Sequence, residues 1–199
     1  DLDCSSVTDL AASGGKITGS YNTNGSQNTN YCFTNSTKGK GGAITPVTLK
    51  DATLGPGIYL FQTGVNVSGD VKVGVGSGTQ TTKGKGGTIV VTGTGAFDSS
   101  TASMFSVYAP TDGVYNAVAL YQPFSDKQPM MLQFGSSGSD FIGAVYAPGA
   151  AVTLHDQGGS VNATNLIVGD IYVNGTINLT DYSALNPVTT PFLQITLVE

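Results

Sequence analysis

Arginine is absent from this sequence, and charge of either sign is scarce. The 199 residues carry eight lysines and thirteen acids, so the net charge is −5 and charged residues make up only 11% of the chain. Nucleic acids and anionic membrane surfaces are bound through clustered Lys and Arg, so both are disfavoured as partners. With so little charge, the surface must be covered largely by Ser, Thr, Asn and Gly.

Long apolar runs are also missing. No segment approaches the roughly 18 consecutive apolar residues of a membrane-spanning helix. The first residues, Asp1 to Asp3, do not form the basic start that precedes the apolar stretch of a signal peptide. We therefore expect an export signal or anchor to lie upstream of Asp1, and membrane contact to depend on a segment outside this chain.

The residues that usually carry catalysis or bind metals are few. His155 is the only histidine, which excludes zinc sites built on two or three histidines. The sequence contains no Gly-x-Ser-x-Gly elbow, and we expect His155 and Asp156 to lie in a solvent-facing turn. EF-hand loops and nonapeptide calcium repeats are absent as well. The sequence therefore predicts no catalytic residue, no metal site and no cofactor.

Paired carboxylates are harder to exclude, because aspartates recur along the chain. Glycosidases use two carboxyl groups about 5–10 Å apart, and stacked strands could align such residues on one face. The aspartates in question are Asp98, Asp112, Asp126, Asp140, Asp156 and Asp170. Almost all of them neighbour Gly, Ser or Pro, where Asp stabilises turns by bonding to its own backbone. We favour the turn role over an enzymatic one.

Only two cysteines are present, Cys4 and Cys32. In a chain rich in Ser, Thr and Asn, two cysteines most simply form one disulfide in an oxidising compartment. The alternative is a pair of buried free thiols. The disulfide reading predicts an extracellular or cell-surface location.

A regular alternation of apolar and polar residues organises the stretch from Phe141 to Leu179. Side chains of a strand point to opposite faces in turn, so alternation indicates strands with one buried face. The Val-Tyr-Ala-Pro sequence occurs at Val107–Pro110 and again at Val145–Pro148, which is typical of stacked repeats. The sequence therefore predicts an all-β fold, a β-solenoid or β-helix-like wrap of short strands with glycine-rich corners. The side chains expected to point inward are Val65, Val67, Val71, Val73, Ile171, Val173, Ile177 and Leu179.

Three parts follow from these patterns. Residues 1–42 are predicted to be a loop-rich segment tied down by the disulfide, with a long loop from Tyr21 to Asn35. Residues 43–182 form the solenoid-like domain. Residues 183–199 are a linker and a C-terminal strand with apolar side chains on alternate positions, and its predicted assembly residues are Phe192, Leu193, Ile195 and Leu197. Such a strand either caps its own sheet or adds to the sheet of a neighbouring molecule.

Four segments also resemble a known family: Gly55–Phe61, Val107–Gln122, Ile142–Pro148 and Leu197–Glu199. Together they look like the C-terminal β-rich region of the TadG-like proteins of Tad (tight adherence, Flp-type) pilus assembly. The order and spacing match over roughly residues 50 to 179, whereas the first 42 residues match no part of that pattern. The resemblance implies a surface or pilus-associated role and brings no catalytic residues.

We expect a non-catalytic extracellular surface or pilus-associated protein with a structural or adhesive role, including that of a filament subunit. Its expected partners are other surface or pilus subunits, further copies of itself, and surface glycans. Two alternatives stay open. One is a polysaccharide-active β-helix enzyme, a hydrolase or a lyase. The other is a carbohydrate- or ice-binding module, for which a flat Thr/Asn face would be suited.

Overall fold

Thirteen strands and one short 3₁₀ turn (Ala11–Ser13) account for the regular structure of the described residues. The computed structural model describes residues 4, 6–75, 86–134, 139–156 and 165–174. Within these ranges there is no α-helix, and no helix is long and apolar enough to cross a membrane. The strands are β1 (Val7–Asp9), β2 (Lys16–Tyr21), β3 (Asn30–Thr34), β4 (Val47–Leu54), β5 (Gly57–Phe61), β6 (Val65–Val73), β7 (Gly87–Val91), β8 (Phe97–Tyr108), β9 (Val118–Tyr121), β10 (Met130–Phe134), β11 (Phe141–Ile142), β12 (Ala144–Asp156) and β13 (Leu166–Asn174).

All pairings between these strands are parallel, and they form one curled sheet in the shape of a half-barrel. Eleven strands follow each other across it in the order β1-β3-β5-β7-β9-β12-β10-β8-β6-β4-β2. The odd-numbered strands β1 to β9 form what we call the odd wing, and the even-numbered strands β2 to β10 form the even wing. β12 joins the wings, because its first residues pair with β9 and its last residues pair with β10. The fold is therefore all-β, as predicted.

The core lies between the two wings. In the even wing the side chains of Val65, Phe97, Met130 and Val152 are register partners in turn, and all are buried. In the odd wing Tyr59, Ile89 and Leu120 form a matching buried row. Aromatic rings also stack between neighbouring strands, with ring centroids 5.5 Å apart for Phe33 and Phe61. The predicted inward positions Val65, Val67, Val71 and Val73 are confirmed, since all four are fully buried.

Ile171 and Val173, predicted to point inward into the core, are not buried in the described part of the chain. They are register partners of the buried Val152 and Leu154, so they lie on the inward side of the strand. Their side chains are nevertheless 42% and 54% exposed. The reason is that β13 pairs with β12 on one side, and no other described strand covers it. Ile177 and Leu179 lie outside the described residues.

Two local predictions also need correction. The stretch from Tyr21 to Asn35, expected to be a loop, contains β3, which pairs with β5. His155 and Asp156, expected in a turn, are the last residues of β12. In both segments the polar residues Asn30, Thr34 and His155 have the strand parity that points away from the core, so they interrupt the apolar pattern without ending the strand. The predicted C-terminal strand, with Phe192, Leu193, Ile195 and Leu197, lies outside the described residues.

Strands from the two sides of the predicted boundary between residues 42 and 43 pair with each other. β2 pairs with β4 over six register partners, from Lys16 opposite Thr48 to Tyr21 opposite Leu54. β1 in turn pairs with β3. The described residues of the first 42 are therefore continuous with the sheet.

Candidate functional site

The outer face of the odd wing is apolar, which distinguishes it from the outer face of the even wing. One outward row contains Cys32, Leu60, Val90, Tyr121 and Tyr146, which are register partners in turn. The corresponding outward row of the even wing contains the polar residues Thr48, Asn66 and Asp98. Apolar side chains on both faces of a strand require cover on both faces. The odd wing therefore needs a second layer outside the sheet.

Part of that layer is supplied by the N-terminal segment. Cys4 is disulfide-bonded to Cys32 of β3, with the two Cα atoms 6.0 Å apart, so the predicted disulfide is confirmed. Cys4 packs against a small outer cluster made by Cys32, Ile58, Leu60 and Val90. The bond thus holds the start of the chain against the outer face of the sheet.

The rest of the layer comes from the turn between β8 and β9, which carries Tyr115. The backbone N–H of Ala117 donates to the carbonyl oxygen of Pro110 at 2.8 Å and closes the turn. Gly113 has φ +81°, and a Cβ at this position would collide with the side chain of Asn28. Only glycine combines this conformation with such a close approach. The turn is therefore fixed in a shape that places Tyr115 over the outer cluster.

Between these elements lies an open cleft of about 330 Å³, which we call the tyrosine cleft. The rings of Tyr115 and Tyr121 meet edge to face, with centroids 5.4 Å apart and an angle of 72° between their planes. The ring of Tyr146 continues the row, stacked on Tyr121 at 5.4 Å with an angle of 4°. The lining residues are Cys4, Leu60, Gln62, Val90, Thr92, Tyr115, Tyr121 and Pro123.

Among the described residues, no charged side chain lines the tyrosine cleft. Burial raises the pKa of Tyr115 above its ordinary value, and the neighbouring Tyr121 raises it further. Tyr115 is therefore a neutral phenol, able to donate a hydrogen bond, throughout the physiological range. Gln62 and Thr92 add an amide and a hydroxyl to the same cleft. Apolar walls with a few polar groups are typical of a binding site, and the absence of charge favours an uncharged occupant.

Two exposed apolar residues are next to lining residues of the tyrosine cleft in the chain. Val114, next to Tyr115, is 93% exposed, and Phe124, next to Pro123, is 67% exposed. These are the two most exposed large apolar side chains in the described part of the chain. The Nζ of Lys127 lies 3.7 Å from the centroid of the Phe124 ring, so a cation–π contact supports that ring at the surface. Large apolar side chains that are exposed beside a cleft are typical of interaction surfaces.

The residues considered for chemistry do not come together. In the register of the sheet, Asp98 lies opposite Asn66 and Met131, and Asp170 lies opposite Ala151. The carboxyl group of Asp140 accepts a hydrogen bond from the Tyr108 hydroxyl at 2.7 Å, and Asp126 is buried in the loop after β9. Asp112 lies on the exposed turn between β8 and β9, and the side chain of Asp156 is not described. No two of the six aspartates are register partners.

His155 also takes part in no catalytic arrangement among the described residues. Its Nε2 lies 3.2 Å from the side-chain nitrogen of Asn174, the register partner on β13. No group of three or more His, Cys, Asp or Glu residues that could hold a metal ion occurs within the described ranges. His155 thus serves as a strand residue that links β12 to β13.

Sequence reasoning identified Cys4 and Cys32 but not the tyrosines beside them. A signal was present: Val118–Tyr121 is a nearly continuous apolar run, which predicts a strand covered on both faces. What covers the outer face is the turn at Tyr115, and its position depends on backbone geometry at Gly113 and Ala117. No family model, no curated protein and no solved structure matches this chain.

Proposed function

We propose that this protein is a non-catalytic extracellular surface module, structural and adhesive in role, which docks a partner protein at the tyrosine cleft. One observation carries the proposal: a cleft whose described lining is uncharged and includes two tyrosines, with a third stacked on Tyr121 and with exposed apolar residues next to lining residues in the chain. Protein interfaces are enriched in aromatic residues and depleted of charge at their centre. The few residues that dominate binding energy are often tyrosines at such a centre.

The scaffold that fits this role is a β-solenoid. Its support is that β1, β3, β5 and β7 each pair with the next odd strand, while the even strands β2 to β8 each pair with the next even strand. A chain that visits the two wings alternately, always in the same direction, winds as a stack of coils. Such a stack is a rigid support for a docking surface, and it suits a structural protein.

Binding is favoured over catalysis by the chemistry of the cleft. General acid–base catalysis and glycoside hydrolysis need carboxyl or imidazole groups beside the substrate. The groups that line the tyrosine cleft are phenols, an amide, a hydroxyl and apolar side chains, together with the disulfide at Cys4. The resemblance to the TadG-like region supports the same direction, because it implies a surface or pilus-associated role.

The test is adhesion of a non-adherent bacterial host that displays this chain on its surface. Tyr115→Ala removes a half-exposed wall of the cleft, and Tyr172→Ala, on the exposed strand β13, is the matched control. We expect displayed wild-type protein and Tyr172→Ala to cause cell settling and adherence to protein-coated plates, and Tyr115→Ala to lose both. Equal adherence of the two variants would refute a role for the cleft.

Two further outcomes decide against the proposal. Competition of adherence by soluble neutral polysaccharide, but not by protein, would assign the cleft to a saccharide. Release of reducing ends from a polysaccharide by the purified chain would establish an enzyme.

A further inference from the structure

We infer that the partner at the tyrosine cleft is a second copy of this chain, bound across a two-fold axis, with Phe124 of each copy inserted into the cleft of the other. The inference rests on the proposed docking role of the cleft. It commits that role to one partner, and it accounts for two features that a single copy leaves without a function: an open cleft and an exposed aromatic ring beside it.

The exposed ring and the cleft are joined by adjacent residues of the chain. Phe124 follows Pro123, which lines the cleft, and Val114 precedes Tyr115, which also lines it. Phe124 does not fill the cleft of its own molecule, because its side chain is 67% exposed. Because Phe124 directly follows a lining residue and is exposed, its ring is close enough to the cleft for two copies to exchange these elements across a two-fold axis. An isologous contact, in which residue i meets j and j meets i, requires such a reciprocal exchange.

The tyrosine cleft suits an aromatic ring in both size and lining. The cleft of about 330 Å³ is at the small end of the range for ligand sites, and it has room for an aromatic side chain of a partner. Leu60 and Val90 form an apolar floor, and the edge-to-face pair of Tyr115 and Tyr121 forms a wall. Aromatic rings favour edge-to-face and offset contacts, which such a wall provides for an incoming Phe.

The two loops that flank the cleft carry side chains of opposite charge. Asp112 lies on the same exposed turn as Val114, and Lys127 stands beside Phe124. Each copy therefore carries one acid on one loop and one base on the other. A two-fold contact that inserts Phe124 brings the loop of Lys127 toward the loop of Asp112 in the second copy, in two symmetric pairs. Opposite charges at the rim favour this register and steer association.

The experiment is sedimentation equilibrium of the purified full chain from about 1 μM to about 1 mM, which covers weak as well as firm association. We expect a closed dimer. Phe124→Ser is expected to raise the dissociation constant about tenfold or more, as loss of an interface anchor does. Gln62→Trp, at an exposed lining position, is expected to block the cleft with the same effect. Ile44→Ser, at an exposed apolar residue that does not line the cleft, is the matched control and leaves the dimer unchanged.

Mixing the two interface variants tests the reciprocal geometry. Phe124→Ser keeps an intact cleft, and Gln62→Trp keeps an intact Phe124, so the mixture restores one of the two contacts. We expect the mixture to associate more tightly than either variant alone. Association of wild-type protein into open chains, or a mixture no tighter than its components, would overturn the two-fold arrangement. Val114→Ser, at the most exposed rim position, replaces Phe124→Ser if that variant fails to fold.

The two experiments can refute the dimer and the adhesive role independently of each other. A monomer at all concentrations, with adhesion still lost in Tyr115→Ala, would refute the dimer and retain the docking cleft. A dimer that Phe124→Ser disrupts, with adhesion equal in Tyr115→Ala and Tyr172→Ala, would retain the dimer and refute the adhesive role.

Discussion

The side-chain amide of Gln122 donates a hydrogen bond to the backbone carbonyl oxygen of Asp126 at 3.3 Å. The same Nε2 also donates to the carbonyl oxygen of Gln128 at 2.9 Å, so one buried amide closes the whole loop that carries Phe124. The amide oxygen of Gln122 and the Oδ2 of Asp126 are both buried and accept no hydrogen bond from the described residues. Burial of the Asp126 carboxyl group in this loop favours its protonated form.

The stability of the fold should therefore depend on the ionisation of Asp126. Burial raises the pKa of Asp126, and the hydrogen bond from the Gln128 backbone N–H only partly opposes this shift. Because the folded chain binds this proton more tightly than the unfolded chain does, the stabilisation is complete below the ordinary Asp pKa of about 3.9. It is lost as the pH rises through the raised pKa of Asp126. Thermal unfolding between pH 3 and 7 measures the effect.

Asp126→Asn is the control that isolates this group, since other carboxyl groups titrate in the same range. Hydrogen bonds to Ser36 and Ala11 lower the pKa of Asp9, for example, which acts in the opposite direction. We expect the melting temperature of Asp126→Asn to exceed that of the wild type by more at pH 7 than at pH 3. An equal difference at both pH values would show that folding does not change the pKa of Asp126.

The alternation of apolar residues predicted the buried side of individual strands but not their arrangement. In β6 it identified all four core valines, because a strand with one buried face has a strict period of two. In β13 the period of two does not predict one buried face, because residues of the same parity face different sides before and after Gly169. Ile167 lies opposite the outward Tyr146, whereas Ile171 lies opposite the inward Val152. The register shifts between Ala147 and Ala151 of β12, so residues of one sequence parity face different sides in the two wings.

The candidate site was only partly accessible to sequence reasoning. A disulfide can be inferred from the number of cysteines and the composition of the chain, because the redox state of the compartment determines whether the bond forms. The tyrosine cleft depends on long-range pairings that bring Leu60, Val90 and Tyr121 side by side. Such pairings join residues far apart in the chain, and local patterns carry no record of which strand lies beside which.

Reduction of the disulfide should loosen the start of the chain selectively. The bond between Cys4 and Cys32 spans a sequence separation of 28, for which the chain-entropy estimate of stabilisation is roughly 3–4 kcal/mol. We expect hydrogen exchange to accelerate in β1 to β3 after reduction and to stay slow in β5 to β12. The variant with both Cys4→Ser and Cys32→Ser should reproduce this pattern and be insensitive to reductant. Uniform acceleration along the whole chain would show that the disulfide supports the entire sheet.

Tyr59 offers a test of the buried hydrogen bonding in the odd wing. Its hydroxyl donates to the carbonyl oxygen of Gly55 at 2.7 Å, and the side chain is fully buried. Tyr59→Phe removes this bond and should lower the free energy of unfolding by about 1–2 kcal/mol, measured by urea denaturation. Tyr108→Phe, which removes a bond to the partly buried Asp140, is expected to cost less. A larger loss in Tyr108→Phe would contradict this ranking.

Burial of Tyr59 also makes the fold sensitive to alkali. It raises the pKa of this phenol well above its ordinary value of about 10. The folded chain therefore retains a proton that the unfolded chain releases, and stability falls as the pH rises above about 10. In Tyr59→Phe the decline of the melting temperature between pH 9 and 11 should be shallower than in the wild type. An identical decline in both proteins would show that Tyr59 does not contribute to it.

Two substitutions to aspartate, at register partners on β12 and β13, measure whether the inward side of β13 is covered. Val152 is fully buried, so Val152→Asp places an unpaired carboxylate in the core and should cost at least about 3 kcal/mol. Ile171 is 42% exposed, and Ile171→Asp should cost only about 1 kcal/mol, mainly through lost strand propensity and packing. Thr153→Asp, at a half-buried outward position of β12, controls for the added charge, and urea denaturation provides the measurement. A loss at Ile171 as large as that at Val152 would mean that β13 has apolar cover in the folded protein beyond the described strands.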